Sequence, residues 1–199
     1  MKNENKLIGV VAAGGNSSRM GTDKSQLIYR TQPIEIEIAN MMRPVCNEVV
    51  LSKNHFQALN KYGVEVMYDD VALANHGPAS SLLTAAHRFP EASILLLGCD
   101  YPMFDASMLQ RLISARNHFS EIVCYYHPVN GFAEPLLAIY EPKSLHNLYS
   151  KLEACHFSLQ HLLKQSATLY LVPNKLDGLQ SIDTTEQFLN IENKLKHEH

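Results

Sequence analysis

Cysteine is scarce in this chain of 199 residues, and its four cysteines are widely separated. They stand at positions 46, 99, 124 and 155, and no two of them form a Cys-x-x-Cys pair. Dense disulfide frameworks and zinc cages both require cysteines at close, repeated spacings. The sequence therefore argues against both and predicts buried, reduced thiols.

An excess of positive charge and a long apolar run are also missing. Lys and Arg number 17 against 20 Asp and Glu, which gives a formal net charge of -3 and no general field for holding nucleic acid. Apolar stretches such as 7–13 and 94–97 fall far short of the ~20 residues that a membrane helix needs. We expect a cytoplasmic protein with one domain over residues 1–199 that binds neither nucleic acid nor membrane.

Short apolar runs typical of buried strands alternate along the chain with segments typical of helices. Strands are predicted at 7–13, 48–51, 64–68, 92–97, 122–126, 135–140 and 168–172. Helices are predicted at 33–42, 56–61, 79–88, 106–115, 144–152, 158–164 and from Thr185 onward. This alternation predicts an α/β fold with a Rossmann-like, doubly wound, mostly parallel sheet and helices on both faces.

The segment after the first predicted strand has the composition of a phosphate-binding loop. Gly14 and Gly15 let backbone N–H groups approach a phosphate closely, and Ser17 adds a hydroxyl donor. Arg19 and Lys24 supply positive charge. Ligands of doubly wound sheets bind at the carboxyl ends of the strands, so we expect nucleotide binding here.

Two common nucleotide-binding motifs cannot be found in this loop. Neither Gly-x-Gly-x-x-Gly nor Gly-x-x-x-x-Gly-Lys-Ser can be aligned with it, which disfavours a dinucleotide-dependent oxidoreductase and a P-loop protein. A long loop with dispersed basic residues suits nucleotidyl transfer, in which the α-phosphate is attacked and pyrophosphate leaves.

Acidic residues follow two other predicted strands at the same edge of the sheet. Asp100 comes after strand 92–97, where a carboxylate can hold Mg²⁺; the alternative is a residue that caps the Tyr-Pro turn. Asp69 and Asp70 follow strand 64–68 at this edge, where they can form a solvated acidic turn.

The loop residues, read as Ala13-Gly14-Gly15-x-Ser17-x-Arg19-Met20-Gly21-x-Asp23-Lys24, resemble the signature of molybdenum cofactor guanylyltransferases, within the MobA-like NTP transferase group. The resemblance continues in the same order through later motifs and spans nearly the whole chain. These motifs are Gly77-Pro78, Gly98-Cys99-Asp100-Tyr101-Pro102, Glu134-Pro135-Leu136 and Ser181-Ile182-Asp183-Thr184.

The resemblance implies a fold of the nucleotide-diphospho-sugar transferase type and transfer of GMP from GTP to molybdopterin, with Mg²⁺ as cofactor. It implies GTP and a molybdopterin-type cofactor as small-molecule partners, together with transient contact with cofactor biosynthesis or acceptor proteins. Lys24, Arg19 and Asp100 would be catalytic. The nucleotide-binding residues would be Ala12, Ala13, Gly14, Gly15, Ser17, Lys24, Ser52, Asp69 and Asp100.

Asp100 would also be a metal ligand, and Asp183 would be either a second ligand or the N-cap of the terminal helix. The Ala-Gly-Gly segment and Asp23 favour guanine by resemblance. The chain departs from the family pattern at Ser52, where Asn is usual, and at Ser80 and Ser81 in the Gly-Pro-Leu-Ala-Gly segment. These departures leave open a cytidylyltransferase, a different phosphorylated acceptor, or a non-catalytic nucleotide-binding protein.

Overall fold

Seven strands form one sheet at the centre of the protein. A computed structural model describes residues 5–14, 23–57, 61–70, 77–146, 148 and 158–197. The strands are β1 (Leu7–Ala12), β2 (Glu48–Lys53), β3 (Glu65–Tyr68), β4 (Ser93–Gly98), β5 (Ile122–His127), β6 (Phe132–Tyr140) and β7 (Thr168–Leu171). They lie in the order β3-β2-β1-β4-β6-β5-β7.

The sheet is mostly parallel, as predicted. β1 pairs in parallel with β2 and β4, β2 with β3, and β5 with β7. β6 runs antiparallel to both of its neighbours, β4 and β5. The carboxyl ends of β1, β2, β3 and β4 therefore meet at one edge of the sheet.

Helices cover both faces of this sheet. They are α1 (Ile34–Met42), α2 (Ala79–Arg88), α3 (Ala106–Ala115), α4 (Pro142–His146), α5 (Leu159–Gln165) and α6 (Thr185–His197). Side chains from α1, α3 and α6 join one buried cluster, and side chains from α2, α4 and α5 join the other. Strand residues alternate between the faces, so that Val11 packs in the first cluster and Val10 in the second. The prediction of a doubly wound α/β fold is confirmed.

The prediction of a helix at 56–61 is wrong for the described residues of that range. Phe56, Gln57 and Lys61 lie in turns and bends. Asn54 accounts for the difference, because its Oδ1 accepts the Phe56 N–H at 3.0 Å and its backbone carbonyl accepts the Gln57 N–H at 3.2 Å. Such local bonds compete with helix formation.

The helix predicted at 144–152 begins two residues earlier, at Pro142, and extends to His146. Residues 147 and 149–152 are outside the described part of the chain. Within that part, no helix is long and apolar enough to cross a membrane. Cys46, Cys99 and Cys124 form no disulfide, and burial raises the pKa of the Cys124 thiol to about 12.

Candidate nucleotide-binding site

The strand register brings the predicted site residues to one edge of the sheet. Ala12, the last residue of β1, pairs with Ser52 on one side and with Gly98 on the other. Gly14 and Asp100 each follow two residues after this row. The candidate loop and the candidate metal ligand are thus neighbours, although the chain between them forms two other strands.

Asp100 is a half-buried residue whose carboxyl lies among charged groups. Its backbone carbonyl accepts the Ile182 N–H at 2.9 Å, which joins the turn after β4 to the segment before α6. Burial raises the pKa of Asp100 to about 6; Lys24 lowers it, whereas Asp183 and Glu134 raise it. A cation beside this carboxyl would relieve both its desolvation and the repulsion from its acidic neighbours.

Lys24 forms an ion pair with Asp183, which lies near the other end of the chain. Asp23 caps the 3-10 helix Lys24–Gln26 by accepting the Ser25 N–H at 3.0 Å. The Lys24 Nζ then donates to Asp183 Oδ1 at 2.8 Å. The Lys24 side chain is 19% exposed and that of Asp183 is 54% exposed, so the pair faces the open side of the site.

The interpretation of Asp183 as an N-cap is wrong. Thr184 caps α6, because its Oγ1 accepts the Gln187 N–H at 3.2 Å while Gln187 Oε1 accepts the Thr184 N–H at 3.0 Å. This reciprocal pair is a capping box. The Asp183 carboxylate is therefore available to Lys24 and to the site.

Asp69 does not belong to a solvated turn. It is 6% exposed and accepts a hydrogen bond from the Ser52 hydroxyl at 2.5 Å. Burial raises the pKa of Asp69, and the Ser52 hydrogen bond lowers it in part. Ser52 itself is fully buried, so its hydroxyl contacts the Asp69 carboxylate from the protein interior.

Asp69 lies so close to Gly14 that a side chain at position 14 would force the Asp69 carboxylate to shift. A Cβ added to Gly14 would lie 3.0 Å from Asp69 Oδ2. The structure thereby places β1, β2 and β3 around one small volume, with the Gly14 backbone facing the Asp69 carboxylate. Ser80 and Ser81, where the chain also departs from the family pattern, are buried in α2.

Glu134 is a site residue that the sequence analysis named only within a motif. β5 pairs Cys124 with Ala138 but Tyr125 with Glu134, so residues 135–137 of β6 form a bulge. Bulges re-aim side chains, and the Tyr101 hydroxyl donates to Glu134 Oε2 at 2.9 Å. Burial raises the pKa of Glu134, and the Tyr101 hydrogen bond lowers it in part. The signal in the sequence was Pro135 inside an apolar strand run.

Three predicted residues, Gly15, Ser17 and Arg19, are outside the described part of the chain. The described predicted residues, from Ala12 to Asp183, all lie along the carboxyl edge of the sheet or the segment that faces it.

The donor set fits a magnesium ion shared with a nucleotide. Among the residues described, no group of three or more His, Cys, Asp or Glu side chains is placed to hold a metal by itself. Mg²⁺ is usually bound through one or two carboxylates together with phosphate oxygens and water. Asp100 and Asp183, which interact through their charges, can supply those carboxylates.

These features define a class of protein: an α/β protein that binds a nucleoside phosphate at the carboxyl edge of its sheet. Residues 9–169 match the family model of the MobA-like NTP transferase domain. The chain belongs to this family and is therefore an enzyme of the nucleotidyltransferase class.

Curated relatives agree with this assignment. The chain is 27% identical over 195 residues to a "Probable molybdenum cofactor guanylyltransferase" of Thermococcus sibiricus, covering 94% of each protein. It is 28% identical over 185 residues to a "Molybdenum cofactor biosynthesis bifunctional protein" of Synechocystis sp., with 92% of this chain aligned to 52% of that protein. The chain thus spans about half the length of the bifunctional relative.

The fold is similar to that of molybdopterin-guanine dinucleotide biosynthesis protein A from Archaeoglobus fulgidus. The TM-score is 0.75 at 16% identity, covering 96% of this chain and 99% of that one. At this identity the likeness concerns the fold.

Proposed function

We propose that this protein transfers GMP from GTP to the phosphate of a molybdopterin-type cofactor, with Mg²⁺ bound and pyrophosphate released. One observation carries the proposal: the charged groups of Lys24, Asp183 and Asp100 lie close to one another at the carboxyl edge of the sheet. The names of the family's curated relatives supply the choice of guanine and of the acceptor.

The reaction is a single displacement at phosphorus. A phosphate oxygen of the acceptor attacks the α-phosphorus of GTP and forms the new P–O bond. The bond from the α-phosphorus to the oxygen that bridges to the β-phosphate breaks, and pyrophosphate leaves with that electron pair. No protein nucleophile is required, so the chain contributes position and charge.

Lys24 is the residue that we assign to the α-phosphate. Its ammonium is a compact positive charge that offsets the charge building up on the phosphoryl oxygens. The ammonium pairs with Asp183 at 2.8 Å. Nucleotide binding would shift the ammonium toward phosphate and leave the Asp183 carboxylate to a cation.

Asp100 and Asp183 would hold the metal. When bound, Mg²⁺ neutralises part of the triphosphate charge and assists departure of pyrophosphate. Asp69, supported by the Ser52 hydroxyl at 2.5 Å, would accept a hydrogen bond from the nucleoside. The Gly14 backbone would approach the phosphates, because glycine has no side chain to hold them away from its N–H group.

Titration of the purified protein with GTP, CTP, ATP and UTP, with and without Mg²⁺, tests the nucleotide. Pyrophosphate release in the presence of molybdopterin then tests the reaction. We expect GTP-selective binding that Mg²⁺ strengthens. The Lys24→Ala variant should lose on the order of 10²–10³-fold in turnover, the usual effect of removing one group that stabilises transition-state charge.

Lys143→Ala is the matched control. Lys143 pairs with Glu121 at 2.9 Å and follows β6, so it lies at the opposite edge of the sheet. Its loss should leave turnover unchanged. A preference for CTP would assign the protein to cytidylyl transfer, binding without turnover would indicate a nucleotide-binding protein without activity, and full activity in Lys24→Ala would overturn the assigned role.

A further inference from the structure

The side chain of Gln57 joins the end of β1 to the start of the helix that carries Lys24. Its Nε2 donates to the Ala13 carbonyl at 2.8 Å and to Asp23 Oδ2 at 2.8 Å. Its Oε1 accepts the Asn54 N–H at 3.0 Å, which defines the orientation of the amide. Both N–H donors of Nε2 and the acceptor Oε1 are therefore in use.

Asp23 transmits this contact to Lys24. While Oδ2 accepts from Gln57, Oδ1 accepts from the Ser25 backbone at 3.0 Å and from the Ser25 hydroxyl at 2.8 Å. Lys24 lies between these two residues. The position of its Cα is thus set by the carboxylate that Gln57 holds.

A buried ion pair supports the same helix from the other side. Gln26 Nε2 donates to Glu35 Oε1 at 2.9 Å, and Lys53 Nζ lies 2.9 Å from the Glu35 carboxylate. The side chains of Lys53 and Glu35 are 1% and 0% exposed. With one end held by Glu35 and the other by Gln57, the 3-10 helix has little freedom to shift relative to the sheet.

The turn after β2 also contacts Gly14 directly. Asn54 Nδ2 donates to the Gly14 carbonyl at 3.3 Å. Asn54 and Gln57 therefore hold the two features that the proposed reaction uses, the Gly14 backbone and the Lys24 ammonium, in one arrangement. A turn that served only to leave β2 would need neither contact.

We propose that Gln57 is a positioning residue for Lys24, acting through Asp23, and thereby controls phosphate binding and turnover. The proposal rests on the proposed nucleotidyl transfer. Gln57 touches neither substrate nor metal in this scheme. Its effect depends on Lys24 being present, which distinguishes it from a residue that only stabilises the fold.

A double-mutant cycle tests the dependence. The variants are Gln57→Ala, Lys24→Ala and the double variant, each measured for GTP affinity and for kcat and KM of pyrophosphate release. Residues that act through one another show non-additive effects. We expect Gln57→Ala to lower kcat/KM by about tenfold or more in the wild-type background and by less than about twofold in the Lys24→Ala background.

Gln32→Ala is the matched control, since Gln32 is a partly buried glutamine whose Oε1 accepts from Asn40 Nδ2 at 3.1 Å and which has no assigned role in the site. It should leave activity unchanged. Gln57→Glu should be more damaging than Gln57→Ala, because a second carboxylate would face Asp23 and the Ala13 carbonyl. A purely packing role would not produce that order.

The outcomes separate the two proposals. If Lys24→Ala has wild-type affinity and turnover, the proposed function of the site fails. If Lys24→Ala is impaired but Gln57→Ala is neutral, or impairs both backgrounds equally, the positioning role is overturned. Should Gln57→Ala not fold, Gln57→Met, which keeps the length of the side chain, takes its place in the cycle; unfolding of both would make Gln57 a structural residue and also overturn the role.

Discussion

Replacing Asp100 by asparagine should stabilise the folded protein at neutral pH. Burial raises the pKa of Asp100 from 3.8 to about 6, so folding at pH 7 takes place against the cost of keeping this carboxyl ionised. The difference is about two pKa units, and each unit corresponds to about 1.4 kcal/mol. Asn is nearly the same size and does not ionise, so the gain should be about 3 kcal/mol.

The pH dependence has a definite sign. Because the folded pKa is the higher one, the folded state binds more protons than the unfolded state between pH 3.8 and about 6. The stability of the wild type should therefore fall, relative to the variant, as the pH rises through this window. Above it the full difference should be present, and below it the two proteins should converge.

Urea unfolding of both proteins across the pH range measures this difference. Asp105→Asn is the control, because Asp105 caps α3 by accepting the Met108 N–H at 2.9 Å and its pKa is lowered overall. That variant should gain nothing at neutral pH. An Asp100→Asn variant that is less stable than wild type at pH 7.5, or whose stability difference is the same at all pH values, would refute the reasoning.

The remaining predictions concern the same edge and its support. Mg²⁺-dependent GTP affinity should fall about tenfold per pH unit below pH 6, because the proton and the cation compete for Asp100; titration at several pH values measures this. Gly98→Ala should weaken Mg²⁺–GTP binding and also lower stability, because the new Cβ would lie 2.5 Å from Asp100 Oδ1 and within 3.2 Å of Tyr101 and Leu136; calorimetry and thermal unfolding measure the two effects. Lys53→Met should cost about 3–5 kcal/mol by leaving the buried Glu35 charge unpaired, whereas Lys143→Met should change stability by less than about 1 kcal/mol; urea unfolding compares them.

Thr184 and Asp183 show where prediction from the sequence ends at the site. In the sequence, Asp183 is a candidate cap of α6, and the next residue, Thr184, is also of a type that caps helices. Lys24, which is 159 positions away, forms an ion pair with the Asp183 carboxylate, and Thr184 caps the helix instead. Gln187 then completes the capping box with Thr184.

Glu134 and Gln57 show the same limit. Glu134 reaches Tyr101 because β6 bulges where it passes the end of β4, and a bulge is visible only when two strands are paired. Gln57 was placed in a predicted helix, but its amide is held by Ala13 and Asp23. Neither contact produces a periodic pattern in the sequence, because each joins segments that are far apart in the chain.

The sequence by itself determined the α/β alternation, the doubly wound sheet, and the edge at which Gly14, Lys24 and Asp100 would be found. These follow from local hydrophobic periodicity and from the rule that parallel strands present their carboxyl ends together. The tertiary structure decided which polar groups meet there: Asp183 with Lys24, Ser52 with Asp69, and Gln57 with Asp23. Hydrogen bonds and ion pairs act over about 3 Å, so their partners are defined only after packing has brought the strands and loops together.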